Sequence, residues 1–191
     1  MQAHRYENRR LAMMAALARG HDVLDLGFAQ SPNPGLARFR AVGLDLALPP
    51  STPDGYAEQL RGDVMTLGTH VGDRRFDTVL CGELIEHLER PYDFLRDLHD
   101  VVRPGGRLVL STPNPLGVPV VLFELMRSHR RFYTADHRYY FTPRWVERML
   151  ADSGWQTSEV RGVGLWLPVG PVLKCPVALS YQVIYVAEAC A

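Results

Sequence analysis

Residues 76–114 read FDTVLCGELIEHLERPYDFLRDLHDVVRPGGRLVLSTPN. The apolar run Phe76–Cys81 predicts a buried strand, and Arg107–Ser111 predicts another. Between them, apolar residues at helical spacing predict a helix that begins at Pro91 and ends at Arg103, before Pro-Gly-Gly. Strand, helix and strand in this order favour a parallel sheet that is covered by helices.

The same alternation continues on both sides of this block. Further strands are predicted at Asp22–Leu26, Ala41–Leu46, Asp63–Leu67, Glu159–Leu165 and Val177–Val186. Helices are predicted at Tyr6–Arg19 and from Thr142, the latter with Trp145, Val146, Met149 and Leu150 as its buried stripe. The pattern indicates a mostly parallel sheet with helices on both faces, within a single domain spanning residues 1–191.

Composition excludes several classes of function. The chain has 21 Lys+Arg and 21 Asp+Glu residues, so bulk nucleic-acid binding is not expected. Its three cysteines lack metal-type spacing, which favours a reducing compartment. The N-terminus lacks the apolar core of a signal peptide, and the uncharged runs are too short for a transmembrane segment. We therefore expect a cytoplasmic protein.

Acidic residues lie near the ends of two of the predicted strands and at the start of a third. In a parallel sheet, ligands bind beyond the carboxyl ends of the strands, where Asp25 and Gly27 lie. Asp45 lies 45 − 27 = 18 residues after Gly27, close to the spacing of about 20 at which an acid binds ribose hydroxyls. Asp63 is placed to accept a hydrogen bond from an adenine amino group. Each has a plainer explanation as a turn or strand-end residue.

The chain resembles the class I S-adenosylmethionine-dependent methyltransferases. The similar blocks are VLDLG, VGLDLA, RGDV, the stretch 76–114 and DHRYYFTPRWVERMLADSGW, in family order over about residues 21–155. They are most similar to the small-molecule group that includes ubiquinone-biosynthesis-like O-methyltransferases. The resemblance implies a Rossmann-like α/β fold with a mostly parallel seven-stranded sheet and an antiparallel last strand. It also implies an enzyme that uses S-adenosylmethionine, most simply to methylate a small-molecule hydroxyl.

By motif position, the resemblance also implies a set of cofactor-binding residues. They are Asp25, Gly27, Phe28, Ala29, Asp45, Leu46, Asp63, Val64, Cys81, Gly82 and Glu83. Carboxylates suit hydroxyl and amino groups, and no lysine or glycine-rich nest is present here for phosphates. S-adenosylmethionine has no phosphate, whereas the dinucleotide of a hydride-transfer enzyme does. The lack of phosphate-binding groups therefore favours methyl transfer over hydride transfer.

The loop after the first strand departs from the family pattern. Where that pattern has three closely spaced glycines, this chain has Gly27 and then no glycine before Gly35. The side chains of Gln30, Ser31 and Asn33 could replace the missing backbone contacts to the methionine moiety. Alternatively the loop is degenerate, and the protein is a binding or scaffold protein without catalysis.

Two histidines are candidate catalytic residues. If a helix starts near Glu83, then Glu83, Glu86 and His87 share one face. His87, or His137 in the later segment TADHRYYF, could act as the base for an acceptor hydroxyl, because imidazole has an ordinary pKa of about 6.5. A plainer role for His87 is a backbone hydrogen bond at a helix start.

An alternative set of roles involves a metal. Small-RNA 3′-end 2′-O-methyltransferases resemble the same segment, and that resemblance implies Glu83, Glu86, His87 and His137 as ligands of a divalent cation. No basic RNA-binding module accompanies the segment here. We therefore predict no metal, and keep a metal-dependent RNA methyltransferase as the alternative.

Residues 112–141 are expected to cover the substrate. The run Val118–Met126 is apolar almost throughout, and the following HRRFYTADHRYYF is aromatic and basic. The apolar run could line a pocket for the small-molecule substrate, form a homodimer contact or face lipid. The sequence leaves these three roles open.

Overall fold

The computed structural model describes residues 3–126, 137–165 and 172–189. Its helices are α1 (Ala3–Leu17), α2 (Leu67–Val71), α3 (Pro91–Asp97), α4 (Val118–Leu125) and α5 (Pro143–Asp152). Its strands are β1 (Asp22–Leu26), β2 (Arg40–Asp45), β3 (Tyr56–Arg61), β4 (Phe76–Gly82), β5 (Val102–Pro113), β6 (Trp155–Gly162) and β7 (Gln182–Ala189). They form one seven-stranded sheet in the order β3-β2-β1-β4-β5-β7-β6.

The pairing of the strands confirms the predicted fold class. The pairs among β1 to β5 are parallel, whereas β7 is antiparallel to both of its neighbours, β5 and β6. Asp25 of β1 lies beside Gly43 of β2 on one side and Leu80 of β4 on the other. The strand order reverses between β1 and β4, so the carboxyl ends of these strands frame the crevice where ligands bind in such sheets.

Helices cover both faces of the sheet. Alternate residues of β1 point to opposite faces, so that Leu24 packs in the core shared with α2, α3 and α5, and Val23 in the core shared with α1. In β4 the same alternation sends Cys81 to the α3 face and Leu80 to the α1 face. Burial on both faces explains the continuous apolar runs of the central strands.

The prediction of a strand at Asp63–Leu67 is wrong. The Asp63 carboxylate accepts a hydrogen bond from the amide of Met65 at 2.9 Å and starts the 3₁₀ turn Val64–Thr66, which leads into α2. The third strand of the chain is instead Tyr56–Arg61, at the edge of the sheet. Its residues after Tyr56 are exposed or half-buried, so it lacks the apolar signal of a central strand.

Other boundaries differ by a few residues. Helix α3 ends at Asp97 rather than Arg103. The 3₁₀ turn Leu98–Asp100 follows it, and β5 then begins at Val102, which pairs with Phe76. The register then shifts before Arg107 pairs with Thr78, which places Pro-Gly-Gly inside an irregular part of the strand pair. Strands β6 and β7 also lie at different residues from those predicted, and a 3₁₀ turn occupies Val177–Leu179.

The predicted buried stripe of α5 is correct at three of its four positions. Val146, Met149 and Leu150 are buried, but Trp145 is 52% exposed. Gly154 follows the helix with a φ of +85°, a conformation in which glycine is favoured. The helix therefore ends where the sequence indicates.

The predicted substrate-covering region is described in part. Helix α4 lies within it, and residues 127–136 are outside the described residues. In the described ranges, no helix combines the length and apolar character needed to cross a membrane. A homodimer contact through this region stays a prediction.

Candidate active site

A cavity of about 850 Å³ opens at the carboxyl ends of β1, β2 and β4. Six of the predicted cofactor-binding residues line it, and so do both predicted catalytic histidines: Asp25, Gly27, Phe28, Asp45, Gly82, Glu83, His87 and His137. Its volume is within the range of about 300–1,000 Å³ that is usual for ligand sites. The topology thus brings together residues that lie far apart in the sequence.

Asp45 connects the two loops that border the cavity. Its Oδ2 accepts a hydrogen bond from the amide of Ala29 at 2.9 Å, and its Oδ1 accepts one from Ala47 at 3.2 Å. Gly27, with a φ of +72°, turns the chain between β1 and this contact. Each carboxylate oxygen can accept further hydrogen bonds, so Asp45 can still bind a pair of hydroxyls in the cavity.

Asp25 is buried and has a partner from a distant strand. The Tyr56 hydroxyl on β3 donates a hydrogen bond to its Oδ2 at 2.5 Å. Burial raises the pKa of Asp25 to about 6, against the opposing effects of the Tyr56 hydrogen bond and the Arg10 charge. Burial and the nearby Asp25 charge also raise the pKa of Tyr56, which therefore remains the donor.

The loop after β1 is held by side chains in place of glycine contacts. Phe28 is 2% exposed, and its ring packs in the α1-facing core, 5.0 Å from the Tyr56 ring between centroids. Asn33 accepts a hydrogen bond from Gly35 and donates one to the carbonyl of Leu11. All three of Gln30, Ser31 and Asn33 line the cavity, but the Asn33 side chain already makes hydrogen bonds inside the protein.

Five predicted cofactor-binding residues do not line the cavity. They are Ala29, Leu46, Asp63, Val64 and Cys81. Leu46 is 65% exposed, and Cys81 is fully buried on the α3 face, where burial raises the pKa of its thiol well above the ordinary value. The Asp63 carboxylate caps a turn. Its predicted contact to adenine stays a prediction.

Arg10 is a cavity residue that the sequence did not indicate. It lies on α1, is 4% exposed, forms an ion pair with Glu7, and donates a hydrogen bond to Ser111 Oγ at 3.1 Å. A Cβ on residue 82 would collide with its guanidinium, so Gly82 gives the arginine its space. Burial lowers the pKa of Arg10, but Glu83, Glu7 and Asp25 raise it by more. Arg10 therefore remains a buried cation in the cavity wall.

Glu83 follows β4 in an unusual backbone conformation. Its φ is +52°, which costs energy for a residue with a side chain and is often found at functional sites. Its carboxylate accepts hydrogen bonds from Ser111 at 3.0 Å and from Gln182 at 2.8 Å. Ser111 thus joins Arg10 to Glu83 through one hydroxyl.

A second group of side chains lies beside this network. The segment predicted to start a helix near Glu83 forms a 3₁₀ turn, Ile85–His87. One potential ligand atom from each of Glu86, His87 and His137 lies within 4.8 Å of the others. Glu83, the fourth ligand in the RNA-methyltransferase alternative, is not part of this group.

Glu86 is the buried member of the group. It is 1% exposed, and its Oε2 accepts a hydrogen bond from Thr112 at 3.1 Å, whereas its Oε1 has no hydrogen-bond partner among the described residues. Burial and the neighbouring Glu83 raise the pKa of Glu86 well above its ordinary value. An unsatisfied buried carboxylate oxygen beside two imidazoles is a suitable setting for a cation.

The segment that carries His137 is fixed to this turn through its backbone. The amides of Arg138 and Tyr139 donate hydrogen bonds to the carbonyl of Glu86 at 2.9 and 3.2 Å. The rings of His87 and His137 are consequently 4.7 Å apart between centroids, at an interplanar angle of 79°. The two candidate bases border the same end of the cavity.

A family model described as a methyltransferase domain matches residues 1–160. The chain belongs to this family. It is also 28% identical over 151 residues to the ubiquinone biosynthesis O-methyltransferase of Aeromonas salmonicida, covering 76% of this chain and 58% of that protein. It is 34% identical over 100 residues to the mitochondrial enzyme of the same name from Schizosaccharomyces pombe, covering 46% of this chain and 34% of that protein. The chain thus spans less than two thirds of the length of these curated relatives.

Solved structures share the fold of this methyltransferase domain. The CcbJ methyltransferase from Streptomyces caelestis has a TM-score of 0.69 at 17% identity, covering 97% of this chain and 96% of that one. The 1,6-didemethyltoxoflavin-N1-methyltransferase of Burkholderia thailandensis, with 1,6-didemethyltoxoflavin and S-adenosylhomocysteine bound, has a TM-score of 0.67 at 18% identity, covering 97% of this chain and 79% of that one. Family membership makes S-adenosylmethionine the cofactor, as predicted, and the acidic cavity with Asp25 and Asp45 fits it.

Proposed function

We propose that this protein transfers a methyl group from S-adenosylmethionine to a hydroxyl group of a small organic acceptor. The observation that carries the proposal is that His87 and His137 line the same cavity as Asp25 and Asp45. A cofactor held by the two acids would extend toward the two imidazoles. The name of the Aeromonas relative, an O-methyltransferase, supports the choice of oxygen as the acceptor atom.

The two ends of the cofactor match different parts of the cavity. Asp45 is placed to accept hydrogen bonds from the ribose hydroxyls, since it ends β2 and borders the cavity. The amino-acid end carries an ammonium and a carboxylate, which suit Asp25 and Arg10 respectively, because both are buried in the cavity wall. In this arrangement Arg10 replaces the glycine amides that the loop lacks.

When bound, S-adenosylmethionine supplies a methyl group that is already strongly electrophilic on its positively charged sulfur. The protein therefore acts mainly by orientation, with the acceptor oxygen held in line with that methyl group. A ring nitrogen of His87 or His137 takes the proton of the acceptor hydroxyl as its oxygen attacks. Alanine in place of the base should lower turnover by about 10²- to 10⁴-fold.

Binding of S-adenosylhomocysteine by isothermal titration is the first test. The wild-type protein should bind it, and His87→Ala and His137→Ala should both keep that affinity. The variant that lacks the base should lose turnover with a panel of phenols and catechols. His21→Ala is a matched control, because the His21 side chain is 76% exposed. Undiminished turnover in both histidine variants would exclude the base role. Absence of binding at millimolar ligand would favour the scaffold alternative.

A second candidate function is metal-assisted methylation, the alternative predicted for an RNA 2′-hydroxyl. It is favoured by the close approach of Glu86, His87 and His137 and by the unsatisfied Oε1 of Glu86. These three residues would hold a divalent cation, which would lower the pKa of the acceptor hydroxyl.

Direct Mn²⁺ binding, measured by electron paramagnetic resonance, tests this candidate without an activity assay. Binding that Glu86→Gln weakens, together with turnover that a chelator abolishes, would support it. Turnover that survives chelation would favour imidazole as the base. A preference for single-stranded RNA over catechols would then identify the acceptor class.

A further inference from the structure

Tyr56 lies at the edge of the sheet, yet its side chain reaches an acid of the cofactor crevice. Tyr56 starts β3 and extends across β2 to β1, where its hydroxyl donates to Asp25 Oδ2. The intervening residue on β2 is Gly43, which pairs with Asp25. Because glycine has no side chain, the space above β2 at this position is open to the ring of Phe28, which lies 5.0 Å from the Tyr56 ring between centroids.

The Tyr56 hydroxyl also holds the loop that follows β1. It accepts a hydrogen bond from the amide of Asn33 at 2.9 Å while it donates to Asp25. One phenol thus connects an acid of the cavity with the loop that lacks the usual glycines. Tyr56 itself does not line the cavity, so its influence on a ligand passes through Asp25.

We propose that Tyr56 is a positioning residue for cofactor binding, which keeps the Asp25 carboxylate ionised and oriented toward the ammonium group of the bound amino-acid end. The inference rests on the proposed function, since it requires the cofactor to occupy this cavity. A hydrogen bond to a carboxylate favours its charged form, and its loss shifts the protonation to higher pH. Tyr56 therefore sets the pH range over which the Asp25 carboxylate is charged and can bind the ammonium group of the cofactor.

Other charged groups face Asp25 from the elements packed around it. Arg10 and Glu7 come from α1, Asp45 from the end of β2 and Glu83 from the end of β4. The charge of Arg10 lowers the pKa of Asp25, and the charge of Asp45 raises it. These four groups are unchanged when Tyr56 alone is substituted, so a comparison of variants isolates the contribution of the phenol.

The test is the pH dependence of S-adenosylhomocysteine affinity between pH 5 and 9, measured by isothermal titration. In the wild-type protein the affinity should fall as the pH decreases through about 6, where Asp25 becomes protonated. In Tyr56→Phe the midpoint should move up by about one pH unit, so that affinity at pH 6.5 drops several-fold and recovers by pH 8.5. Asp25→Asn should bind weakly at every pH, and Tyr56→Phe should have no further effect in that background.

Two controls separate positioning from simple support of the fold. Tyr185→Phe removes a hydroxyl from another buried tyrosine, which lies in the core on β7, and should leave the midpoint unchanged. Binding of 5′-methylthioadenosine, which lacks the amino-acid end, should not respond to Tyr56→Phe. An equal loss of affinity for both ligands at all pH values, or an unshifted midpoint, would overturn the inference. If the wild-type protein binds neither ligand, the proposed function fails and the inference fails with it.

Discussion

The ring of Phe28 occupies the space that a side chain on residue 43 would need. A Cβ at Gly43 would lie 2.6 Å from Cε1 of that ring. A bulky residue in the cofactor loop is thus accommodated by a glycine on the neighbouring strand. This explains how the loop can lose its glycines and still keep its path along the cavity.

Gly43→Ala should therefore destabilise the protein by about 1–3 kcal/mol, because the ring must move within a packed core. Urea denaturation measures the change. The double variant with Phe28→Leu should recover part of the loss, since the smaller side chain has no ring atoms at this position. Gly68→Ala is the matched control, as a Cβ there meets nothing within 4 Å. A Gly43→Ala protein as stable as wild type would contradict this explanation.

Arg10→Met should weaken S-adenosylhomocysteine binding by about tenfold or more, because a charge-assisted contact to the cofactor carboxylate is lost. Binding of 5′-methylthioadenosine, which has no carboxylate, should change much less. The variant should also be less stable, since Glu83 and Glu7 lose their buried partner. Arg148→Met removes a 72% exposed arginine on α5 and should affect neither property. Equal effects on both ligands would indicate that Arg10 supports the cavity without contacting the carboxylate.

Asp77 should make stability depend on acidity at low pH. Burial opposes its ionisation, but hydrogen bonds from Arg103 and from the amides of Asp22 and His21 prevail and lower its pKa to about 2. Its contribution should be fully present above the unfolded pKa of 3.8 and lost as the pH falls through about 2. The difference in urea midpoint between wild type and Asp77→Asn should narrow from pH 5 to pH 2. Asp152→Asn, in an exposed ion pair, should show no such trend.

Glu86→Gln should match the metal-free wild-type protein in stability at pH 5, because burial favours the neutral carboxyl. With a pKa raised in the folded state, wild-type Glu86 should reduce stability progressively as the pH rises above its unfolded value. Glu86→Gln should consequently be the more stable protein at pH 8 in urea denaturation. Glu86→Ala should lose about 1–3 kcal/mol at both pH values, because Thr112 loses its buried acceptor. A Glu86→Gln protein that is less stable at pH 8 would mean that the ionised form has a partner.

The sequence predicted the central strands because both of their faces are buried. Strand β3 was not predicted, because an edge strand with exposed side chains has no continuous apolar run. The role of Tyr56 could not be inferred either, because it depends on hydrogen bonds of its hydroxyl to Asp25 and to the amide of Asn33, which lie 31 and 23 positions away in the sequence.

Candidate site residues were predictable where they lie near the carboxyl ends of strands, as Asp25 and Asp45 do. Arg10 was not, because it lies on α1 and meets Ser111 across 101 positions of sequence. The approach of His137 to His87 depends on hydrogen bonds from two amides to one carbonyl, which no pattern of side chains reveals. The available signal for Arg10 was an arginine in the predicted helix before the first strand, and arginines are too frequent in this chain for that signal to stand out.

The attachment of residues 138 and 139 to the carbonyl of Glu86 has a consequence for protein engineering. Amide hydrogen bonds do not depend on which side chains Arg138 and Tyr139 carry. Arg138 lines the cavity, so a library that randomises position 138, with proline left out, should keep this segment attached while changing what an acceptor meets there. The part of the cavity lined by His137 and Arg138 can thus be redesigned for new acceptors separately from the part lined by Asp25 and Asp45.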